Sequence, residues 1–417
     1  MKVKVYKCFR ILGWDFTITP TRFVLTGLVA LMAATVLLRL LTGFQFVTNL
    51  TDETPWGMWI AFDVMCGVAL AGGGYSTALL VHMFRYKQCE VVARGALLTS
   101  LLGYILVMAG LFLDIGQWFN FWRPFVSWGY TSVLFEVFWC ISMYTTILSL
   151  EFFEIITERV LVKKLHRHIL KILPVLVVIG LVFPVLHQSS LGGLFLIMKE
   201  KMFPLWWSQF LPIYFLMSSF FVGSAMVCVE TTLARTAYGH EIPHEIMLKL
   251  TRVGARIMLV YLLMKIYDLF SMDLWGYVFQ GTLQSNMYCL EMLFGIIIPI
   301  CIIVSPLRKT RGGLLTYAWL TVLGVIFNRL NCVFTSMYES GSYFPGIGEI
   351  IVSAGLVSLG ILVYCFLVEN FNIIGNARAV QVKIDKDKDI KNLIWALLRT
   401  KTVSYTHLRA HETLMNL

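Results

Sequence analysis

Ten apolar stretches, each long enough to cross a lipid bilayer, constrain this chain more than any other feature of its sequence. A membrane-spanning helix needs about 20 mostly apolar residues. In lipid, a single stretch of that length can hydrogen-bond its own backbone N–H and C=O groups only by forming a helix. Of the 417 residues, 58% are hydrophobic and only 14% are charged, which excludes a disordered chain and an ordinary soluble enzyme. We therefore predict an all-α polytopic membrane protein with about ten transmembrane helices. The stretches run over about 20–43, 57–83, 93–116, 130–156, 168–187, 204–232, 252–271, 284–304, 313–334 and 347–369.

The basic residues are unevenly distributed between the loops. If the N-terminus is cytoplasmic, 28 of the 34 Lys and Arg lie on the cytoplasmic side and four lie in the outer loops. This bias predicts that both termini are cytoplasmic. Because the charges are spread over many loops, they do not predict a nucleic-acid partner. The outer loops are aromatic, as at 118–122 and 206–207, which fits an interfacial belt or a docking surface for an outer partner.

The two ends of the chain are interpreted separately from the helices. Residues 1–19 form a basic, cytoplasmic N-terminal segment before an uncleaved first helix. Residues 371–402 are a cytoplasmic tail with a charged linker. Residues 403–417 resemble the conceptual translation of a sequencing adapter, the alternative being a polar tail, and we leave them out of the functional reasoning.

Titratable side chains from four consecutive helices fall at one depth near the outer surface. Counting residues from the outer helix ends places Asp63, Asp114, Glu136 and His187 at similar levels. Ionisable groups at membrane depth are costly and usually functional. Together with Trp56, Trp118 and Gln188 they predict a site for an apolar molecule with a proton-exchanging head, such as a quinone. The alternative is that these groups pair within the bundle and fix helix registry.

A second set of charged groups extends from the inner ends of the helices into the later part of the chain. It predicts a path that carries protons from the cytoplasm toward the quinone. The alternative is ion pairs that hold helices together, for example Lys265 with Glu291 or Arg329 with Asp268. The proposed path residues are His82, Arg94, Glu136, Glu151, Glu230, Lys265 and Glu291.

The chain lacks the residues that common redox and nucleotide cofactors need. Only His82 and His187 lie at spans, and they lie at opposite faces, so we predict no haem b. The nine cysteines contain no CxxC pair, so we predict no iron–sulfur cluster and no metal site. No GxxxxGK[ST] loop is present, and the glycines at 72–74 are interpreted as allowing close helix approach. Electrons must then arrive or leave through a partner.

Several segments resemble the NrfD/PsrC-like integral membrane subunits, in order and at similar spacing over about residues 20–370. They are PWGMWIAFD at 55–63 with the small residues through Gly74, LFE at 134–136, LEF at 150–152, PVLHQSS at 184–190 and YFP at 343–345. The first and fourth are specific, whereas the small-residue run is weak alone. The similarity is strongest to the subunits that serve nickel–iron hydrogenases.

This resemblance implies a haem-free subunit of the bacterial inner membrane with two helical bundles plus peripheral helices. We place a quinone-side bundle at about 57–187 and a second bundle at about 204–334. The implied partners are a periplasmic ferredoxin-like iron–sulfur subunit and nickel–iron hydrogenase subunits. The chain would not oxidise H2 itself, but would reduce exchangeable menaquinone, with proton translocation as a further expectation. By motif, Asp63, Glu136 and His187 fall near the quinone and proton path, and Glu151 and Glu230 along the path.

Two other functions remain open from the sequence. A subunit of the same family could instead anchor a molybdoenzyme or a multihaem cytochrome complex and oxidise quinol, which neighbouring genes would distinguish. A secondary transporter would use the buried charges for substrate and ions. It would be indicated by inverted repeats with interrupted midplane helices, and the sequence shows no such pair.

Overall fold

The computed structural model describes residues 7–11, 14–51, 56–160, 163–238, 242–338 and 343–374. Ten long helices dominate these residues, and each predicted stretch coincides with one of them. Their bounds are α1 (Pro20–Thr42), α2 (Trp59–Met83), α3 (Glu90–Asp114), α4 (Val133–Val160), α5 (Lys163–Leu194), α6 (Leu211–Tyr238), α7 (His244–Ser271), α8 (Leu283–Val304), α9 (Arg311–Thr335) and α10 (Ile347–Asn370). The proposed 371–402 tail beyond Ile374 and the 403–417 segment lie outside the described residues.

Nine of these helices are long and apolar enough to cross a membrane, counted over the described part of the chain. The remaining long helix, α7, carries Arg252, Arg256, Lys265 and Asp268 along its length, which lowers its hydropathy. It nevertheless packs along α6 between the other helices of the domain. The predicted all-α polytopic membrane fold is confirmed.

The long helices form two bundles and a peripheral pair. The first bundle contains α2, α3, α4 and α5, and the second contains α6, α7, α8 and α9. Contacts of α6 with α2 and α5 join the two bundles, while α1 packs along α10 and α10 packs against α3. We call the helix ends near Trp118 and Trp122 the aromatic face, and the opposite ends, near Arg85 and Lys87, the basic face.

The glycines at 72–74 allow close helix approach, Gly72 and Gly73 toward α6 and Gly74 toward Ser100 on α3. A Cβ atom added at Gly72 would lie 2.8 Å from the carbonyl oxygen of Ser219, and one at Gly223 would lie 2.5 Å from the carbonyl oxygen of Gly72. Such distances leave no room for a side chain, so the two backbones touch where the bundles meet.

A two-stranded hairpin, which the sequence did not predict, precedes α1. Strands β1 (Lys7–Ile11) and β2 (Trp14–Ile18) pair antiparallel. Arg22 forms an ion pair with Glu369 near the end of α10, and Thr17 donates a hydrogen bond to the same carboxylate. The hairpin is thereby fixed to the C-terminal end of α10.

Short helices connect several of these elements. They lie at Phe44–Phe46, Lys87–Cys89, Trp118–Asn120, Arg123–Val126, Phe195–Lys201, Trp275–Val278 and Pro306–Lys309.

Candidate functional site

An apolar cavity of about 410 Å³ lies between α2, α3, α6 and α10. Asp63 and Glu230 are the carboxylates that line it, and none of its described lining residues is Lys, Arg or His. Cavities of this size with apolar walls and few polar groups are typical of sites for small apolar molecules. The walls include Phe62, Leu102, Leu106, Met226, Leu356 and Ile361.

Asp63 lies at the end of the cavity nearer the aromatic face. It belongs to the π-helical segment Trp59–Cys66 at the start of α2, and such turns are frequent at functional sites. Its side chain is 8% exposed, and its Oδ2 accepts a 2.6 Å hydrogen bond from the hydroxyl of Ser353 on α10. A carboxyl group held beside an apolar cavity can exchange a proton with a molecule bound there.

Glu349, which sequence reasoning missed, organises the loops at the aromatic face. It is fully buried, and its carboxylate accepts hydrogen bonds from the backbone N–H of Asn49 at 3.1 Å and of Gly346 at 2.8 Å, and from the hydroxyl of Tyr343. The Tyr343 oxygen in turn accepts a 2.9 Å bond from the N–H of Met58, just before α2. Burial, together with the neighbouring Glu349 carboxylate, raises the pKa of the Tyr343 phenol well above its usual value, so it remains a donor.

Glu230 lies toward the basic-face end of the same cavity. Its Oε1 accepts a 2.7 Å hydrogen bond from the hydroxyl of Tyr364 on α10, while its Oε2 is buried and has no hydrogen-bond partner. Asp63 bonds to Ser353 and Glu230 to Tyr364 on the same helix, so the helix rise separates the two carboxylates by about 17 Å along α10. The cavity therefore has a carboxyl group toward each end of an otherwise apolar slot.

His187 is buried in the contact of α5 with α3, away from this cavity. Its Nε2 lies 2.7 Å from the hydroxyl of Tyr104, and its Nδ1 lies 2.8 Å from the carbonyl oxygen of Phe183. The next residue, Gln188, donates a 3.0 Å hydrogen bond to the carbonyl oxygen of Val68 on α2. Both side chains join helices of the first bundle through buried hydrogen bonds.

The structure does not bring the seven residues predicted for the quinone site to a single cavity. Glu136 is exposed at the start of α4, and Trp118 is partly exposed in the loop after α3. Asp114 is half-buried at the end of α3, and the Trp56 ring packs edge-on against Phe195. Of the seven, Asp63 lines the apolar cavity. Their contacts along α3 also lie at different levels, because His187 meets Tyr104 and Asp63 lies beside Gly110, whereas Asp114 is at the helix end.

A second cavity, of about 190 Å³, lies between α2, α3, α4 and α5 toward the basic face. His82, Arg94 and Glu151, three of the residues predicted for the proton path, line it together with Glu154. Its wall reaches Tyr144, whose ring packs edge-on against that of Tyr104 at 4.6 Å between centroids. The polar lining is suited to holding water.

Glu291 lies outside both cavities, at the centre of a buried polar cluster in the second bundle. Its Oε2 accepts hydrogen bonds from Trp206 at 2.9 Å and Asn331 at 2.8 Å, and its Oε1 accepts one from Asn328 at 2.7 Å. Asn328 also accepts a 2.6 Å bond from Arg329. Asn328 and Asn331 lie within an apolar stretch of the sequence, so their hydrogen bonds to Glu291 were not predicted.

The ion pairs considered for this bundle, Lys265 with Glu291 and Arg329 with Asp268, are replaced by other contacts among the described residues. The Lys265 ammonium lies 4.5 Å from the centre of the Tyr214 ring. The Tyr214 hydroxyl donates a 2.5 Å hydrogen bond to Asp268, and Arg329 donates one of 2.5 Å to Ser218. Two cations and two carboxylates are thus buried together, bridged by aromatic and polar side chains.

The described residues lack a cluster of candidate metal ligands. They contain no group of three or more His, Cys, Asp or Glu side chains arranged around one point. His187 would have to lose either Tyr104 or the Phe183 carbonyl to bind iron, because both ring nitrogens are engaged.

Long apolar helices around an apolar cavity with buried carboxyl groups define an integral membrane protein suited to a lipid-soluble ligand. Residues 46–339 match the family described as polysulphide reductase, NrfD, and the chain belongs to this family.

Three relatives are similar over most of their length. A protein of Nitratidesulfovibrio vulgaris is 34% identical over 365 residues, covering 84% of this chain and 94% of the relative. The probable Ni/Fe-hydrogenase 2 b-type cytochrome subunit of Escherichia coli K12 is 30% identical, and the similarity covers 79% of this chain and 86% of the relative. The menaquinone reductase integral membrane subunit of N. vulgaris is 27% identical, and the similarity covers 68% of this chain and 73% of the relative.

Proposed function

We propose that this chain is the quinone-reactive membrane subunit of a respiratory hydrogenase complex. It passes electrons from an extramembrane iron–sulfur partner to menaquinone and carries no haem of its own. Membership of the NrfD family supports this proposal, as do the names of two relatives, one a hydrogenase subunit and the other a menaquinone reductase subunit.

The observation that carries the proposal is the position of Asp63 beside the apolar cavity. The cavity offers an apolar slot, and Asp63 with Ser353 offers a hydrogen-bonding pair at one end of it. A quinone has the same two parts, an apolar body and ring oxygens that accept hydrogen bonds. We place the ring at Asp63 and the apolar tail along the cavity.

Reduction of the quinone takes two electrons and two protons and converts both ring carbonyls to hydroxyls. The iron–sulfur partner supplies the electrons. Asp63 gives one proton to the adjacent ring oxygen as negative charge arrives there, and is reprotonated afterwards. The opposite ring oxygen takes the second proton from water. Ser353 holds the carboxyl group in place. Trp56, Asp114 and Trp118 lie on the partner's side of the ring. Glu136, His187 and Gln188 lie outside the cavity, so they are not assigned a contact with the ring.

Protons reach the ring from the basic face in this proposal. The polar cavity at His82, Arg94 and Glu151 is the entrance, and Tyr144 and Tyr104 lead from it toward His187. Glu230 reaches the apolar cavity from the same face. Lys265 and Glu291 belong to the separate polar cluster of the second bundle. They would take part in the proton path only if that path also ran through the second bundle.

We place the aromatic face in the periplasm and both termini in the cytoplasm. The excess of Lys and Arg at the basic face supports this orientation. The iron–sulfur subunit then docks on the aromatic face, and the nickel–iron hydrogenase subunits feed it. Isolation of the native complex identifies the partner, because a molybdoenzyme or multihaem cytochrome would be purified in place of the hydrogenase.

The test is reduction of a menaquinone analogue by H2 in the purified complex. We expect Asp63→Asn, which keeps the bond from Ser353, to lower quinone turnover at least tenfold, while H2 oxidation with a soluble dye is unchanged. Asp273→Asn is the matched control, because Asp273 is exposed after α7 and lies outside the cavity. Wild-type turnover in Asp63→Asn would remove Asp63 from the mechanism.

A further inference from the structure

The apolar cavity extends to the lipid-facing surface between α6 and α10. Leu233 on α6 is 55% exposed, and Val357 and Ile361 on α10 are 44% and 45% exposed, yet all three line the cavity. These side chains therefore form a rim that has the cavity on one side and the surface of the helix bundle on the other. In a membrane-spanning domain that surface faces acyl chains.

The interior of the cavity limits what can occupy it. Glu230, 9% exposed, lines the space and has an oxygen without a hydrogen-bond partner, and Asp63 contributes a second carboxyl group. Since none of the described lining residues is cationic, the phosphate of a phospholipid would have no counter-charge. The occupant that fits is an uncharged, mostly apolar molecule with hydrogen-bonding oxygens.

We infer that a prenylated quinone enters sideways from the bilayer between α6 and α10, past Leu233, Val357 and Ile361. The inference rests on the proposed function and deepens it, because it assigns the entrance and the resting place of the tail. The ring passes the rim first and moves along the slot to Asp63. The tail remains between the two helices and leads back to the lipid.

The length of the quinone tail can be varied to distinguish an effect on this entrance from an effect on the reaction at Asp63. A long prenyl tail must lie across the rim while the ring is bound, whereas a short-tailed analogue is enclosed by the slot alone. Filling the rim should therefore obstruct the long-tailed substrate selectively. Because the rim side chains are exposed, replacing them with a larger apolar residue puts no bulk into the packed core.

The experiment compares long-tailed menaquinone with a short-tailed analogue in the purified complex. We expect Leu233→Trp and Val357→Trp to raise KM for the long-tailed quinone at least fivefold more than KM for the short-tailed analogue. Leu263→Trp is the matched control, because Leu263 on α7 is 57% exposed and does not line the cavity. If the rim variants have the same KM values as Leu263→Trp for both quinones, the proposed entrance is excluded.

A photoreactive prenylquinone gives a readout that does not depend on activity. We expect wild-type complex to be labelled on α6 and α10 near the rim, and Leu233→Trp to lose this label. Labelling confined to other helices, or a phospholipid retained at the rim that quinone does not displace, would overturn the inference. A wild-type complex that reduces neither quinone would overturn the proposed function itself, whereas normal turnover with insensitive rim variants would overturn only the entrance.

Discussion

Ser353 on α10 donates a 2.6 Å hydrogen bond to Asp63 on α2, a residue 290 positions earlier in the chain. The bond connects the helix that begins the first bundle to the last described helix. A hydrogen bond to a carboxylate contributes about 1.5–3 kcal/mol, and here it also fixes the direction of the side chain.

Replacing Ser353 with Ala should release Asp63 without changing the size of the cavity much. We expect quinone turnover to fall roughly threefold to tenfold, measured as H2-dependent reduction of a menaquinone analogue. Ser358→Ala is the control, because the Ser358 hydroxyl bonds to the carbonyl oxygen of Ala354 within the same helix. Equal turnover in the two variants would show that Ser353 does not position Asp63.

Glu151→Gln should separate proton uptake from H2 oxidation. Glu151 lines the polar cavity at the basic face, and Gln keeps its size but cannot carry a proton. In proteoliposomes we expect H2-dependent quinone reduction and the internal pH change to fall together, while H2 oxidation with a soluble dye is unchanged. Glu90→Gln, at an exposed position at the start of α3, should retain the wild-type pH change. A pH change in the Glu151 variant equal to that of the control would exclude the polar cavity as the entrance.

Glu291→Gln distinguishes a structural from a proton-carrying role for the second-bundle cluster. The new amide would direct its N–H groups either at Asn328 or at both Trp206 and Asn331, and the donors on that side would lose their acceptor. We expect a loss of about 1–3 kcal/mol of stability, seen as a lower unfolding temperature in detergent. Exposed Glu245→Gln should unfold like wild type. Unchanged stability combined with loss of proton movement would instead assign Glu291 to the path.

Gly223→Ala should weaken the junction between the two bundles. The added methyl group would lie 2.5 Å from the carbonyl oxygen of Gly72, so α2 and α6 must separate, at a cost of about 1–3 kcal/mol. Gly193→Ala is the control, because nothing lies within 4 Å of a Cβ atom there. Thermal unfolding of the purified protein compares the two, and equal midpoints would contradict the tight crossing.

The fold could be predicted because apolar length alone determines which segments cross a membrane. Every predicted span became a helix, including α7, whose charged side chains are accommodated by contacts with α6. The hairpin before α1 could not be predicted in this way. Its position depends on Glu369, which lies far away in sequence and binds Arg22 and Thr17.

The site was only partly predictable, since counting residues along a helix gives depth but not direction. Asp63, Glu136 and His187 were predicted to share a depth, yet Asp63 lines the apolar cavity, His187 faces Tyr104 and Glu136 is exposed. Direction depends on packing between helices and on the π-helical turns of α2, which hydropathy does not show. Glu349 was missed because it stands alone near the start of an apolar run.

The pairing of Asp63 with Ser353 has a consequence for biogenesis. Asp63 leaves the ribosome long before Ser353, so it has to enter the bilayer without this hydrogen-bond donor and receives it only when α10 is inserted. The wall of the cavity is likewise incomplete until then, because α10 contributes Leu356, Val357 and Ile361 to it. The acid of α2 and the cavity beside it thus reach their final environment late in membrane insertion.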